Sequence, residues 1–187
     1  GRKTGLNING ESNGLMPTEA YHDKTTPGGF QYGLALSTAV GQGDVRTTPL
    51  QMAMAYAALA NGGHILKPYV VDTVVGSDGT VLRTNQAEIS SSLEEKSSLF
   101  EAINLGLKEA VHDEEFGTAK LAAVSAGMIA GKTGTAQVRK IARGRNLQTI
   151  RHFRERDHAW FAAFAPFDAP KVALVVFLEH GGSGGKQ

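Results

Sequence analysis

A lysine followed by two hydroxyl side chains and a glycine forms the stretch of this chain best suited to binding an anion. Lys132, Thr133, Gly134 and Thr135 lie within a largely apolar segment, residues 129–138, which we expect to form a β-strand. Strands avoid glycine, which has no side chain to pack, unless something must approach the backbone closely. One ammonium and two hydroxyls beside such a glycine predict a strand edge that faces a pocket for a ligand with a carboxylate.

Two other interpretations of this tetrapeptide exist. An ordinary edge strand with an exposed lysine is the plainer one, and the four residues alone do not exclude it. A phosphate-binding loop is the other, but its motif needs four residues between the first glycine and the Gly-Lys pair. Gly127 and Gly131 have only three residues between them, so the spacing argues against nucleotide binding.

The composition is that of a globular protein. The chain has 187 residues, of which 41% are hydrophobic and 20% charged, enough to build a core and unlike a disordered segment. Its net charge of +1 gives no electrostatic reason to expect nucleic acid as a partner. Cysteine is absent, which excludes disulfides and thiolate metal ligands.

The clearest helix signal follows Thr48. With Pro49 at the first helical position and Gln51 as its partner in a Thr-x-x-Gln capping box, Thr48 predicts a helix that runs to about Ala60. Asn61-Gly62-Gly63 ends this helix. Its residues are apolar on every face, so we expect it to be buried.

A second capping signal, Ser92-Leu93-Glu94-Glu95, predicts a helix to about Val111. Polar residues 112–115 are interpreted as its solvated end, in preference to a metal site. Its core-facing stripe is expected to comprise Leu99, Ile103, Leu107 and Ala110, with Phe100 and Val111 beside it. Its water-facing side is expected to comprise Glu101, Asn104 and Lys108.

The remaining apolar segments have the character of strands. Residues 65–83 predict a hairpin that turns at Ser77-Asp78-Gly79. Residues 129–138, 159–167 and 172–178 predict an antiparallel meander, and the last of them is apolar on both faces, so we expect cover on both sides of the sheet. Together with the buried helices, this meander predicts an α+β fold, an antiparallel sheet covered by helices.

Between the first two strands of the meander lies a basic segment, Arg139–Asp157, with seven basic and two acidic residues. We interpret it as a long exposed connection near the mouth of the site. Contact with an anionic partner remains a minority alternative. A metal site at His152, Asp157 and His158 is a weaker one, because a third firm ligand is missing.

Three motifs, in this order, resemble those of the class B penicillin-binding proteins, the D,D-transpeptidases of the cell wall. They are Gly41-Gln42-Gly43 followed by Thr48-Pro49-Leu50-Gln51, then Ile129–Gln137 around Lys-Thr-Gly, then Arg156–Pro166 with Gly181-Gly182 after the last strand. The similarity extends over the whole chain and is greatest to the branch that serves rod elongation. It implies a partial penicillin-binding or serine-β-lactamase-like fold, with residues 1–187 as the C-terminal portion of one transpeptidase domain.

In this family, a Ser-x-x-Lys motif supplies the nucleophile and its base, a Ser-x-Asn motif relays protons, and Lys-Thr-Gly closes the other wall of the pocket. The resemblance implies that Lys132 supplies positive potential and assists the proton relay. It implies that the hydroxyls of Thr133 and Thr135 bind the ligand's carboxylate and that Gly134 lets the ligand lie against the strand. The backbone N–H of Thr135 would be one oxyanion-hole donor.

The nucleophile motif is expected to lie upstream of this chain. No Ser-x-Asn occurs, and the one literal Ser-x-x-Lys, Ser183–Lys186, contains two glycines that disfavour the helical turn needed to stack serine on lysine. It also follows Lys-Thr-Gly, whereas the family's nucleophile precedes it. We therefore expect the chain by itself to be inactive.

The resemblance also implies a setting and partners. Peptidoglycan stem peptides would be the substrate, β-lactam antibiotics their mimics, and membrane proteins of the cell-elongation complex the protein partners. The catalytic domain would be periplasmic, held to the inner membrane by an anchor outside this chain. No metal, organic cofactor or nucleic acid is implied. The alternative is a non-catalytic module of the same fold that keeps residues 132–135 to hold a carboxylate or a partner strand.

Overall fold

A computed structural model of the chain describes residues 1–6, 8–94, 96–125, 127–138 and 152–186. Its α-helices are α1 (Glu19–Thr25), α2 (Tyr32–Ala39), α3 (Pro49–Ala60) and α4 (Ser97–His112). Its strands are β1 (His64–Leu66), β2 (Thr73–Val75), β3 (Val81–Thr84), β4 (Ile89–Ser92), β5 (Ala130–Ala136), β6 (His158–Ala165) and β7 (Val172–Leu178). Single 3₁₀ turns lie at Lys120–Ala122, Phe153–Glu155 and Gly184–Lys186.

The main sheet is the predicted antiparallel meander, in the order β5-β6-β7. Lys132 of β5 pairs with Ala162 of β6, which pairs in turn with Val175 of β7. Helix α3 packs on β6 and β7, and α4 packs on β5. Ala163 and Phe164 of β6, the central strand, are completely buried. The α+β class predicted from the sequence is confirmed.

One face of β7 is not covered. Its even-numbered residues are exposed while the residues between them are half-buried, so the predicted cover on both sides is wrong for this chain. An apolar face can be buried only if other polypeptide packs on it, and the elements described here cover one side of β7. The exposed residues are Val172, Leu174, Val176 and Leu178.

Helix α3 forms as its capping signal predicts. The Thr48 hydroxyl accepts the N–H of Gln51 at 3.1 Å, and the Gln51 side chain accepts the N–H of Thr48 at 2.9 Å. The helix ends at Ala60, before a glycine turn. Complete burial is not observed, since most of its residues are half-buried and only Ala58 of this helix is fully buried.

Helix α4 begins later than predicted. Ser92 is the last residue of β4, pairs with His64 of β1, and hydrogen-bonds the His64 imidazole at 2.9 Å. The capping box is therefore wrong, because strand pairing has already committed the Ser92 backbone and side chain. Lys96 is the residue that precedes the helix, and it makes no side-chain cap.

The buried stripe of α4 is rotated relative to the predicted one. Phe100 and Val111 are buried, whereas Leu99 and Ile103 are exposed. The stripe therefore follows Phe100 and Val111, which the sequence pattern had placed at the side of the apolar face.

This rotation turns two polar residues of α4 inward. Asn104 donates its amide N–H to the carbonyl of Leu59 at 3.0 Å, and its own amide oxygen is buried without a hydrogen-bond partner among the described residues. The ammonium of Lys108 lies 4.9 Å from the centre of the Phe167 ring. Neither residue has the water-facing position predicted for it.

The predicted hairpin forms from β2 and β3. Its turn is closed by the Gly76 N–H, which donates to the carbonyl of Thr80 at 2.8 Å. Strand β1, at the start of the same region, pairs with β4 instead. Within the described ranges, no helix has the length and apolar composition needed to cross a bilayer.

Candidate functional site

The predicted site residues lie consecutively on β5, an edge strand of its sheet. Lys132 and Thr135 are exposed, and Thr133 and Gly134 are half-buried. Because side chains alternate along a strand, Thr133 and Thr135 lie on one face and Lys132 on the other. A ligand that lies along the edge of β5 can therefore contact residues of both faces.

The Lys132 ammonium is held at this edge by two oxygens. It donates to the hydroxyl of Thr118 at 3.1 Å and to the carbonyl of Thr133 at 3.2 Å. Thr118 was not identified as a site residue from the sequence. A contact between residues this far apart in sequence leaves no local signal.

The turn that leads to Thr118 is built on Asp113. Its carboxylate accepts the N–H groups of Phe116 at 2.6 Å and Glu115 at 2.9 Å, and these bonds hold the pKa of Asp113 below its ordinary value. His112, next to it, is half-buried and hydrogen-bonds the Ile129 carbonyl at 3.1 Å, just before β5. The interpretation of 112–115 as a solvated helix end is therefore wrong for His112, which connects α4 to the site strand.

The two glycines of β5 have different surroundings. A Cβ on Gly131 would lie 2.7 Å from the Ala163 Cβ and 2.8 Å from the Ala162 carbonyl oxygen, both too close. A Cβ on Gly134 would meet the Trp160 Cβ at 3.5 Å, an ordinary contact. Gly131 is thus required by packing within the sheet. Packing within the described chain leaves room for a side chain at Gly134.

A cavity of about 640 Å³ adjoins the C-terminal end of β5. Its walls are residues 135–138, residues 21–27 around α1, and residues from α2 to Val45. The lining includes Gly41, Gln42 and Gly43, so the structure brings the first motif and the end of the Lys-Thr-Gly segment to one cavity. Gly41 and Gly43 adopt φ values of 74° and 71°, the left-handed region that glycine tolerates best.

Not every site residue lines that cavity. Lys132 and Thr133 are outside its lining, and Thr133 instead borders a smaller cavity of about 200 Å³ together with Thr118 and Gly184. His22 lines the larger cavity although it is buried, and its Nδ1 lies 3.1 Å from the Thr26 hydroxyl. Sequence reasoning missed His22, which lies in α1, a helix too short to show a periodic signal.

The residues of the weaker metal alternative have structural contacts. Asp157 accepts the N–H of Val138 at 3.2 Å, and Nδ1 of His158 accepts the N–H of His180 at 2.9 Å. In the part of the chain that is described, no group of three or more His, Cys, Asp or Glu side chains is arranged to hold a metal ion. Most of the basic connection, 139–151, lies outside the described residues.

The rejected Ser-x-x-Lys segment forms more structure than its glycines suggested. Gly184–Lys186 is a single 3₁₀ turn that does not include Ser183. Its Gly184 N–H donates to the Thr135 hydroxyl at 3.3 Å. The segment therefore contacts the site strand through its backbone.

The family assignment follows from sequence comparison over the whole chain. The model of the penicillin-binding protein transpeptidase domain matches residues 1–187, and the chain belongs to this family. Its resemblance to penicillin-binding protein 2 within the family is also confirmed by the relatives it matches.

Three relatives illustrate the likeness. Peptidoglycan D,D-transpeptidase MrdA of Acinetobacter baumannii is 35% identical over 188 residues, which cover 99% of this chain and 27% of that relative. The structure of Pseudomonas aeruginosa PBP2 in complex with WCK 5153 matches with a TM-score of 0.77 and 33% identity, over 99% of this chain and 38% of that one. Helicobacter pylori PBP2, solved in complex with MreC, matches with a TM-score of 0.76 and 27% identity, over 98% of this chain and 30% of that one. The chain thus spans well under half the length of each.

Proposed function

We propose that this chain is the C-terminal portion of the transpeptidase domain of a protein of the penicillin-binding protein 2 type, which cross-links peptidoglycan stem peptides. The observation that carries the proposal is the edge of β5, which presents one ammonium and two hydroxyls within four residues and whose Thr135 end adjoins a cavity. The match of the transpeptidase model to residues 1–187 supports it, as does the name of the related D,D-transpeptidase.

The proposed role of this edge is to bind and orient the stem peptide. The hydroxyls of Thr133 and Thr135 donate to its terminal carboxylate, and Lys132 adds positive potential beside them. Gly134 leaves room for the peptide to lie against the strand, and the backbone N–H of Thr135 is one donor to the oxyanion. A β-lactam has a carboxylate in the corresponding position and is held in the same way.

The reaction proposed for the whole protein is a two-step acyl transfer through a serine that other residues of the polypeptide supply. The serine oxygen bonds to the carbonyl carbon of the scissile peptide bond, and the C–N bond breaks as the leaving amine takes up a proton. An amine of a second stem peptide then displaces the serine. Lys132 assists by keeping its positive charge close to the group that donates and accepts the proton.

The setting follows from the same proposal. The protein would be held at the inner membrane with this domain in the periplasm, and would work with membrane proteins of the cell-elongation complex. The H. pylori relative was solved in complex with MreC, which supports a partner of this kind.

Acylation by a β-lactam tests the proposal. Full-length protein and the 187-residue chain are each incubated with benzylpenicillin, and intact mass is measured. We expect one adduct on the full-length protein and none on the chain alone. A stoichiometric adduct on the chain would overturn the assignment of the serine to other residues, and no adduct on the full-length protein would overturn the proposed function.

Substitution at the edge sharpens this test. In the full-length protein, Lys132→Ala is expected to lower the second-order rate of acylation by about 10²-fold, the range seen when one electrostatic donor is removed from an active site. Lys171→Ala is the matched control, because Lys171 is an exposed lysine in the connection between β6 and β7. Equal rates for both variants would remove Lys132 from the site.

A non-catalytic module is the second candidate, favoured by the absence of Ser-x-Asn from this chain. It predicts that the coding sequence upstream of Gly1 lacks Ser-x-x-Lys followed by Ser-x-Asn. The presence of both motifs there would exclude it.

A further inference from the structure

The loop that follows β7, residues 180–184, is fastened to the start of β6. The His180 N–H donates to Nδ1 of His158 at 2.9 Å, and the Gly182 N–H donates to the carbonyl of Asp157 at 2.8 Å. His180 has a φ of 54°, in the left-handed region that costs a side-chain-bearing residue free energy. A backbone held in that conformation needs support, and the His158 imidazole supplies part of it, together with the Arg156 carbonyl, which lies 3.0 Å from Nδ1 of His180.

The other end of the same loop rests on the site strand. The Gly184 N–H donates to the hydroxyl of Thr135 at 3.3 Å. A Cβ on Gly184 would collide with the Gly134 carbonyl oxygen and would lie 2.8 Å from the Trp160 carbonyl oxygen. Only glycine allows the backbone to lie this close to the β5–β6 pair.

Together, these contacts connect His158 to Thr135 through the 180–184 loop. In the register of β5 and β6, Ala136 pairs with His158 and Thr135 pairs with Ala159. His158 holds one end of the 180–184 loop, and the other end returns to the Thr135 hydroxyl. The position of the Gly184 N–H relative to Thr135 is therefore set jointly by the hydrogen bond to His158 and by that of the Gly182 N–H to the Asp157 carbonyl.

We propose that His158 is a positioning residue for the Thr135 hydroxyl and acts through the 180–184 loop, an inference that rests on the carboxylate-binding role proposed for Thr135. A hydroxyl has one proton to donate and two lone pairs that accept. The Gly184 N–H occupies one lone pair, so the proton of Thr135 is directed away from the loop. Such a hydroxyl favours a ligand atom that accepts, such as a carboxylate oxygen, over one that donates.

The chemistry of the contact specifies which replacement preserves it. Nδ1 of His158 accepts a hydrogen bond, so that nitrogen carries no proton. The ring also packs against Phe177, with the centroids 5.2 Å apart. Phenylalanine keeps an aromatic ring at this position but removes the acceptor, whereas asparagine places an acceptor oxygen close to the position of Nδ1 and removes the ring.

The test compares His158→Phe and His158→Asn in the full-length protein, with benzylpenicillin as the probe. His158→Phe is expected to lower the second-order acylation constant by about tenfold, as the loss of a positioned hydrogen bond to a charged ligand predicts, mainly through weaker binding. His158→Asn is expected to stay within about twofold of the unmodified protein, since the acceptor remains. His64→Phe, at a histidine remote from the site, is the control for a change of imidazole to phenyl.

Hydrogen exchange provides a readout that does not depend on catalysis. In the same full-length proteins, the amide of His180 is expected to exchange faster in His158→Phe and at the unmodified rate in His158→Asn. Unchanged acylation in His158→Phe would overturn the proposal, as would equal losses of acylation in both variants. If the unmodified protein is not acylated, the proposed function fails. The exchange pattern then decides whether His158 holds the loop.

Discussion

The β5–β7 sheet and the turns around it contribute to the candidate site by different physical means. Every residue of β5 has a partner on β6, and every residue of β7 has one as well, so the sheet is held by continuous ladders. The turns depend on a few isolated hydrogen bonds, among them bonds from side chain to backbone. Asp23 accepts the Phe30 N–H at 2.9 Å, and Asp113 accepts that of Phe116 at 2.6 Å.

The sheet and the turns also differ in how much of their surface is buried. The sheet contains the completely buried Ala130, Ala163 and Phe164, whereas the cavity wall formed by residues 21–45 has His22 as its buried residue. Apolar burial is the larger source of stability, at about 25 cal/mol for each Å² removed from water. The sheet should therefore fix the spacing of the site residues, while the turns decide what can reach them.

The largest expected effect is in the centre of the sheet. Phe164 is completely buried, and its ring stacks on Phe167 with centroids 6.4 Å apart. Phe164→Ala is expected to lower the free energy of unfolding by about 3–5 kcal/mol, measured by urea denaturation. Leu178→Ala, on the exposed face of β7, is the control and should cost less than about 1 kcal/mol. Equal losses would contradict the idea that only one face of this sheet is part of the core.

The two glycines of β5 allow a sharper comparison within one strand. Gly131→Ala is expected to cost about 1–3 kcal/mol of stability, because the new Cβ meets Ala163 and Ala162 at distances that require the sheet to shift. Gly134→Ala should fold normally, since its Cβ makes only an ordinary contact with Trp160. Urea denaturation of both variants tests this.

For ligand binding, in contrast to stability, we expect Gly134 to be the more sensitive of the two glycines. If Gly134 is open because a peptide lies against it, Gly134→Ala in the full-length protein should slow acylation by benzylpenicillin while leaving stability intact. A Gly134→Ala variant that is destabilised as much as Gly131→Ala would show that sheet packing explains both glycines.

This difference between sheet and turns also explains what the sequence could predict. The meander and the capped helix α3 came from local patterns, namely runs of apolar residues and the Thr48–Gln51 capping box, and both formed as predicted. The start of α4 did not, because Ser92 carries the local signature of a cap yet pairs with His64, a residue far away in sequence. A local pattern cannot report such competition.

The residues of the candidate site likewise fall into those that a local sequence pattern identifies and those that it does not. Residues 132–135 were identified because their chemistry is concentrated in four consecutive positions. Thr118 and His22 were not, because each acquires its place only when distant segments pack together. The inward position of Asn104 is a third case, since a polar residue gives no sign that a carbonyl on another helix will accept its N–H.

A turn on the cavity wall should respond locally. Asp23→Ala removes the acceptor for the Phe30 N–H, an exposed hydrogen bond worth about 0.5–1.5 kcal/mol. We expect a small change in the urea midpoint but clearly faster amide exchange at Phe30. Glu19→Ala, at the start of α1, is the control and should leave that amide unchanged. Unaltered exchange at Phe30 in Asp23→Ala would mean that packing, and not this bond, holds the turn.

The smallest expected effect concerns the Asp113 turn and depends on pH. The N–H groups of Phe116 and Glu115 lower the pKa of Asp113, so the folded state favours the ionised carboxylate. Its contribution to stability is therefore complete above the ordinary carboxyl pKa of about 4 and is lost as the pH falls below that value through the lowered pKa of the folded state. Asp113→Asn keeps an acceptor oxygen but cannot titrate, so its turn should lose this dependence.

The amide resonance of Thr118 is the suitable measurement, because the turn leads directly to the hydroxyl that holds Lys132. Between pH 5 and pH 2, this resonance should shift in the unmodified protein and remain in place in Asp113→Asn. Asp78→Asn, in the distant β2–β3 turn, removes another carboxyl with a lowered pKa and should leave the Thr118 shift intact. A Thr118 resonance that moves equally in all three proteins would show that protonation of Asp113 does not affect Thr118. The position of the Lys132 ammonium would then be determined by the sheet alone.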